Sequence, residues 1–247
     1  MAQIGLQLYS IREQAAADLA GTLARVAEIG YDGVEFAGYY GVASAEVRKT
    51  LEATGLAVAG AHVGFELLED DLAHQIDLAA AVGCPAIGCP GIWNVAYDLA
   101  TFERMAATFN RAAAACHAAG LGFFYHIHGF EFVEVAPGQT GMDILLAQMD
   151  PVLVTLEPDT YWVARAGVDP VTFVDQHRAR CSHLHLKDAG DTANWRDTEV
   201  GAGVIDMAGV VAAGPDAGWW VVEQEAFDMP EMESIAISLA NLRALAE

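Results

Sequence analysis

Two histidines, His126 and His128, stand two residues apart in the aromatic run FFYHIHGFEF (123–132), and Glu131 follows them. In a strand, positions i and i+2 face the same side, so both imidazoles enter one space. The alternation recurs elsewhere. In RCSHLHLKD (180–188), His183, His185 and Lys187 share a face opposite Leu184 and Leu186. In PVLVTLEPD (151–159), Thr155, Glu157 and Asp159 align opposite Val154 and Leu156. In WWVVEQE (219–225), Trp219, Val221, Glu223 and Glu225 align. Glu35 and His62 end two further β-rich runs, YDGVEF and AVAGAH. Imidazoles and carboxylates that converge in a packed interior cannot stay unpaired, because an unpaired buried charge is very costly. A divalent cation with mixed nitrogen and oxygen ligands is the economical solution.

Such convergence needs elements that bring those ends to one rim. A polar-faced, Ala-rich stretch ending in glycine and followed by a β-rich run recurs, with Gly30, Gly55, Gly83, Gly120 and Gly218 as the stops. Glycine after a helix accepts the left-handed C-cap conformation without a Cβ penalty. Eight strands are expected near 3–9, 32–37, 57–62, 85–89, 122–128, 152–157, 181–186 and 218–224. Helices are expected at 18–29, 44–54, 69–82, 98–119 and 230–246, with shorter ones near 140–149, 168–178 and 206–213. Eight β-then-α units in a chain of this length predict a single (β/α)8 TIM barrel domain spanning 1–247. A doubly wound sheet would want a glycine-rich phosphate loop, and neither GxGxxG nor GxxxxGK[ST] is present. In a barrel the chemistry sits at the C-terminal strand ends, where the polar sets lie. The fourth strand offers only Cys89 and the CPGIW turn.

Composition narrows the partners. Of 247 residues 54% are hydrophobic, enough for a large core, and 34 acidic against 12 basic residues give a formal charge of −22. Nucleic-acid binding depends on Lys and Arg clusters, so no nucleic acid is expected, nor an anionic membrane surface. The four cysteines, Cys84, Cys89, Cys116 and Cys181, form no CxxC pair; they read as buried thiols of a reducing compartment. MAQIGLQLYSIREQ lacks the pattern of a signal peptide, and no apolar run is long enough to span a bilayer. The expected location is cytoplasmic.

The stretches GLQLYSIR, GYDGVEFAG, AHVGFELLE, FYHIHGFEF, LEPDTYWVARAGVDPV, HLHLKD, EVGAGVID and VVEQEAF occur in order along nearly the whole chain. As a set they resemble the sugar phosphate isomerase/epimerase group of the xylose-isomerase-like barrel superfamily. The resemblance implies one divalent metal ion, Mn2+, Mg2+, Co2+ or Zn2+, on four strand-end ligands: His126, Asp159, His185 and Glu223. Many relatives carry Glu where His126 stands, so this is a departure from the commonest pattern. Ketose 3-epimerases of the superfamily work with two glutamates, one on each face of the sugar carbon, and here one of them is replaced. Asp159 has an alternative as the cap of a following turn, although DTYWV precedes no clear helix.

The implied chemistry is isomerisation or epimerisation of a sugar, keto-sugar or polyol derivative through a metal-stabilised enediolate. Glu223 is expected as the base, His128 in proton transfer and Lys187 against a developing oxyanion. His62, Glu35, Trp93, Glu131, Glu157, Tyr161 and Glu225 are expected to meet the substrate, with Trp162 as a further flat face. A phosphate on the substrate is disfavoured by the scarcity of Arg and Lys at the rim. The alternatives are a lyase or dehydratase on a 3-keto-sugar or inosose with the same metal site, and a non-catalytic sugar-binding barrel. Relatives often dimerise, which implies a homodimer.

Overall fold

A computed structural model describes residues 2–214 and 218–245. Eight short strands pair in parallel: β1 (Gln3–Gln7), β2 (Gly33–Phe36), β3 (Ala57–His62), β4 (Ala86–Cys89), β5 (Gly122–Ile127), β6 (Val154–Pro158), β7 (His183–Leu186) and β8 (Trp219–Val222). Their spatial order is β6-β5-β4-β3-β2-β1-β8-β7. The sheet nearly closes, because parallel bridges Leu156–Cys181 and Asp159–His185 join β6 to β7. This is the expected (β/α)8 barrel, and the seam itself places Asp159 beside His185.

Among the described residues, eight helices of seven residues or more surround it: α1 (Leu19–Ile29), α2 (Ser44–Thr54), α3 (Leu72–Val82), α4 (Leu99–Ala118), α5 (Gly141–Gln148), α6 (Pro170–His177), α7 (Met207–Ala213) and α8 (Glu231–Leu245). Gly30, Gly55 and Gly83 close α1, α2 and α3 in the left-handed conformation, with φ of 108°, 74° and 86°. The other stops differ. Ala119 is the C-cap of α4 and Gly120 follows it with φ 80°. Helix α7 ends at Ala213 with Gly214 as its cap, so Gly218 stops no helix.

Three boundaries depart from the sequence expectations. The helix expected at 69–82 is two, Phe65–Asp70 and α3, broken at Asp71 (φ −143°). The first strand ends at Gln7, and a 3-10 turn covers Leu8–Ile11. DTYWV does open a helix, Thr160–Arg165, with the Asp159 side chain accepting the Trp162 N–H. The last expected helical position, 246, lies outside the described residues. Among those described, no helix is long and apolar enough to cross a membrane. All four cysteines are buried and free.

The barrel interior is filled from β5. Phe124 points to the axis, stacks on His183 (ring centroids 4.3 Å, 27°), and lies against Gly60 and Gly88. A Cβ built on Gly88 would stand 2.2 Å from the Phe124 ring, and one on Gly60 2.7 Å away. Those glycines are required by close approach, not by backbone angle. Phe124 thus forms the floor under the polar groups above it. Overpacking of a filled core costs about 1–3 kcal/mol. Gly88→Ala is therefore expected to lower stability by about that amount in urea denaturation, and adding Phe124→Leu to recover part of it. An unchanged midpoint for Gly88→Ala would refute this packing.

Candidate metal centre

Above Phe124 the strand ends deliver three imidazoles into one cluster. The His126 ring lies 4.4 Å from His185 and 5.1 Å from His62, centroid to centroid. Four carboxylates accompany them: Glu35, Glu157, Asp159 and Glu223, all buried. His126 Nδ1 donates to Glu157 (3.0 Å), which fixes the tautomer and leaves Nε2 as the lone-pair nitrogen. His185 bridges two carboxylates, with Nε2 on Glu35 (2.8 Å) and Nδ1 on Glu223 (2.7 Å). His62 Nε2 lies 3.0 Å from Glu157 and 3.1 Å from Glu35.

The electrostatics are those of a site short of positive charge. Burial alone would deprotonate His62, but Glu35 and Glu157 beside it raise its pKa to about 10. His185 is likewise raised, against burial, by Glu157, Glu35 and Glu223. Burial pushes Asp159 up to about 7 and raises Glu157. Burial also opposes the ionisation of Glu223, yet the His185 hydrogen bond and the nearby Lys187 hold its carboxyl down at about 2. His126, desolvated and next to other imidazoles, is held well below its ordinary value and is neutral.

Among the described residues, two four-residue sets could hold a metal ion, each with one ligand atom per residue and all atoms within 4.8 Å of one another. One is His126, Asp159, His185 and Glu223; the other is His62, His126, Glu157 and His185. Asp159 Oδ2, Glu157 Oε1 and Glu35 Oε1 are buried without a hydrogen-bond partner among the described residues. An acceptor left bare in a dry interior is costly, and mixed imidazole and carboxylate donors suit a divalent ion. The first set fits better. Asp159 has one oxygen spent on capping and one bare, and Glu35 can hold His185 Nε2–H while Nδ1 faces Glu223.

A cavity of about 800 Å³ opens over this cluster, lined by Gln7, His62, His126, His128, Glu223 and Glu225 among others. Of the residues expected at the substrate, His62, Trp93 and Glu225 line it, as does Trp162. Glu35 and Glu157 do not; they lie beneath, holding imidazoles. Glu131 is turned to the outer side of β5, where it accepts the Tyr125 hydroxyl (2.5 Å) and the His128 N–H (2.9 Å). Tyr161 is buried and donates to the Trp195 carbonyl. Lys187, expected at an oxyanion, is buried behind the wall with its ammonium on Glu225 and 3.8 Å from Asp197. His183 sits a level lower and is satisfied by Ser182 and the Ala59 carbonyl.

Sequence reasoning missed Gln7, whose amide donates to Glu35 (2.7 Å), and Tyr97, Phe130 and Arg165 in the cavity wall. Gln7 was recoverable from parity, since it shares a face with Gly5 and Gln3 on the first strand. The loop residues carried no periodic signal.

A family model described as xylose isomerase-like TIM barrel matches residues 23–245. An inosose dehydratase from Lacticaseibacillus casei is 27% identical over 143 residues, half of this chain and 47% of that protein. The chain thus spans about half the length of that relative. An inosose dehydratase from Bacillus anthracis is 23% identical over 244 residues, 82% of this chain and 80% of that one. A solved sugar phosphate isomerase/epimerase from Parabacteroides distasonis superposes with TM-score 0.85 at 22% identity, covering 100% of this chain and 96% of the other. An L-ribulose 3-epimerase superposes with TM-score 0.77 at 18% identity, with 100% and 96% covered. At those identities the superpositions speak for the fold.

Metal uptake by the first set has to displace a proton from His185 and keep Asp159 ionised. Both groups are held above their ordinary values, so affinity falls as pH drops through 7. Calorimetric titration with Mn2+ is expected to weaken roughly tenfold per pH unit for each proton displaced. Asp159→Ala and His185→Ala should abolish it, and wild-type affinity in both variants would overturn the site.

Proposed function

The chain belongs to the xylose isomerase-like TIM barrel family, and on that premise we propose that it moves a proton on a carbon beside the carbonyl of a sugar, keto-sugar or polyol derivative, as an isomerase or epimerase. One observation carries this reading. The Glu223 carboxylate on the β8 side and the imidazoles of His126 and His128 on the β5 side face the same cavity.

A divalent cation held by His126, Asp159, His185 and Glu223 would stabilise negative charge on the carbonyl oxygen as the neighbouring C–H bond ionises. Glu223 is ionised at neutral pH and is the group to take the proton. With no cation bound, His185, backed by Glu35, holds that carboxylate by a hydrogen bond, and that proton would give way to the cation. His128, whose backbone N–H is held by Glu131, stands opposite as a neutral imidazole that would relay a proton to the other face, taking one up from water at one ring nitrogen as it gives one from the other. Glu225, anchored by Lys187, reaches the cavity wall to accept a substrate hydroxyl.

A dehydratase is the second reading, favoured by the likeness to inosose dehydratases. It begins with the same proton removal, and the proton from the β5 side then goes to a departing hydroxyl. The two readings separate in heavy water with a panel of keto-sugars and inososes. Deuterium on carbon in an isomer of unchanged skeleton supports the first, and a product lighter by water the second. Glu223→Gln is expected to lower either rate by about 10²–10⁴-fold while its metal content is checked alongside. Proton exchange at the wild-type rate in that variant would remove Glu223 as the base.

A further inference from the structure

The cavity has two chemically different levels. Its floor is His62, His126, Glu223 and Gln7, and its upper wall is aromatic. Phe130 stacks on Tyr97 (4.4 Å, 11°) and on His128 (5.9 Å, 19°). Trp93 meets both Phe130 (5.6 Å, 76°) and His128 (5.0 Å, 89°) edge to face, and Trp162 approaches His128 at 5.5 Å. Arg165 does not interrupt this wall: its guanidinium lies 5.2 Å over Trp162 and donates to the Tyr161 hydroxyl.

Trp93 is 46% exposed, an unusual place for the largest apolar side chain unless something covers it. The β4–α4 loop is bent to keep it there. Gly91 has φ 121°, and a Cβ on it would stand 2.9 Å from the Phe130 ring. Asn94, just after the indole, is left-handed with φ 60°, a conformation that costs a non-glycine residue free energy. A bend held at that cost against Phe130 presents the indole to the cavity mouth.

Volume points the same way. A six-carbon sugar fills roughly 200 Å³, about six to seven water volumes, against a cavity of about 800 Å³. One ring on the floor leaves the aromatic wall bare. We propose that this wall is a second subsite and that the substrate class is a keto-glycoside. The reacting sugar ring sits on the floor, and a second ring, sugar or aryl, lies on Trp93, Phe130 and Trp162. This deepens the proposed function and rests on its reading of the floor as a sugar site.

The test is equilibrium binding, which needs no turnover, on the metal-loaded protein with matched methyl and phenyl keto-hexopyranosides. The wild type is expected to prefer the phenyl member by about tenfold, the scale of one aromatic contact plus its buried area. That ratio should fall to near one in Trp93→Ala and persist in Trp93→Phe. Equal binding of the two ligands by the wild type, or an unchanged ratio in Trp93→Ala, overturns the second subsite and leaves the sugar reading standing. Binding of neither ligand overturns the sugar reading and the subsite with it.

Discussion

The organising constraint is the burial of four carboxylates, Glu35, Glu157, Asp159 and Glu223, at the top of a packed barrel. They are held almost entirely out of solvent there, and isolated ionised carboxylates cannot persist in such a place. The interior answers with imidazoles: His62 and His185 are raised to carry positive charge. Even so, Asp159 Oδ2 and two further carboxylate oxygens are left bare. Much of the surrounding geometry follows from this deficit. Gln7 gives its amide to Glu35, Lys187 lies buried near Glu223 and Asp159, and the β6–β7 seam brings Asp159 to His185.

The scaffold makes that concentration of charge tolerable by separating tasks along the axis. Below the cluster, Phe124 and the glycines Gly60 and Gly88 close the barrel with apolar contact. His183 shares the inward parity of His185 but is absorbed at this lower level by a backbone carbonyl. Two residues along one strand therefore separate a structural imidazole from one facing carboxylates. On the outer side of β5, Glu131 and Tyr125 pair under the helices and fix the His128 backbone. The same strand so serves the core with one parity and the cavity with the other.

That division also explains what could be read in advance. Parity and strand count placed His126, Asp159, His185 and Glu223 at a common rim with the other polar strand-end groups, because alternation and barrel closure are properties of the backbone; the choice of those four came from the family resemblance. Depth along the axis was not readable. Glu35 and Glu157 share inward parity with their neighbours, yet three-dimensional register puts them beneath the imidazoles and away from the cavity surface. Glu131 was misplaced for a related reason: it follows the strand, where parity no longer governs direction, and a 3-10 turn at Phe130–Phe132 carries it outward. The helix after Asp159 was missed because its six residues are too few to show a period. Aromatic residues of the loops, Tyr97 and Phe130, became visible only once the turn at Gly91 had brought them together.

His126 is best understood through charge. Were His126, Asp159, His185 and Glu223 the donors to a divalent cation, two neutral imidazoles and two carboxylates would balance its charge. A carboxylate in place of His126 would leave that set one negative charge in excess, in an interior that already buries Glu35 and Glu157. Those two carboxylates are the partners of the imidazoles: Glu157 accepts from His126 and Glu35 from His185. Each makes its imidazole a better electron donor. The carboxylate absent from the β5 position is thus met by one standing behind it, on Glu157 of the neighbouring strand. The consequence is asymmetry. The β8 wall keeps an ionised carboxylate at the cavity, whereas the β5 wall presents neutral imidazoles. The cavity therefore has a carboxylate side and a neutral imidazole side, and the fold fixes which strand supplies each.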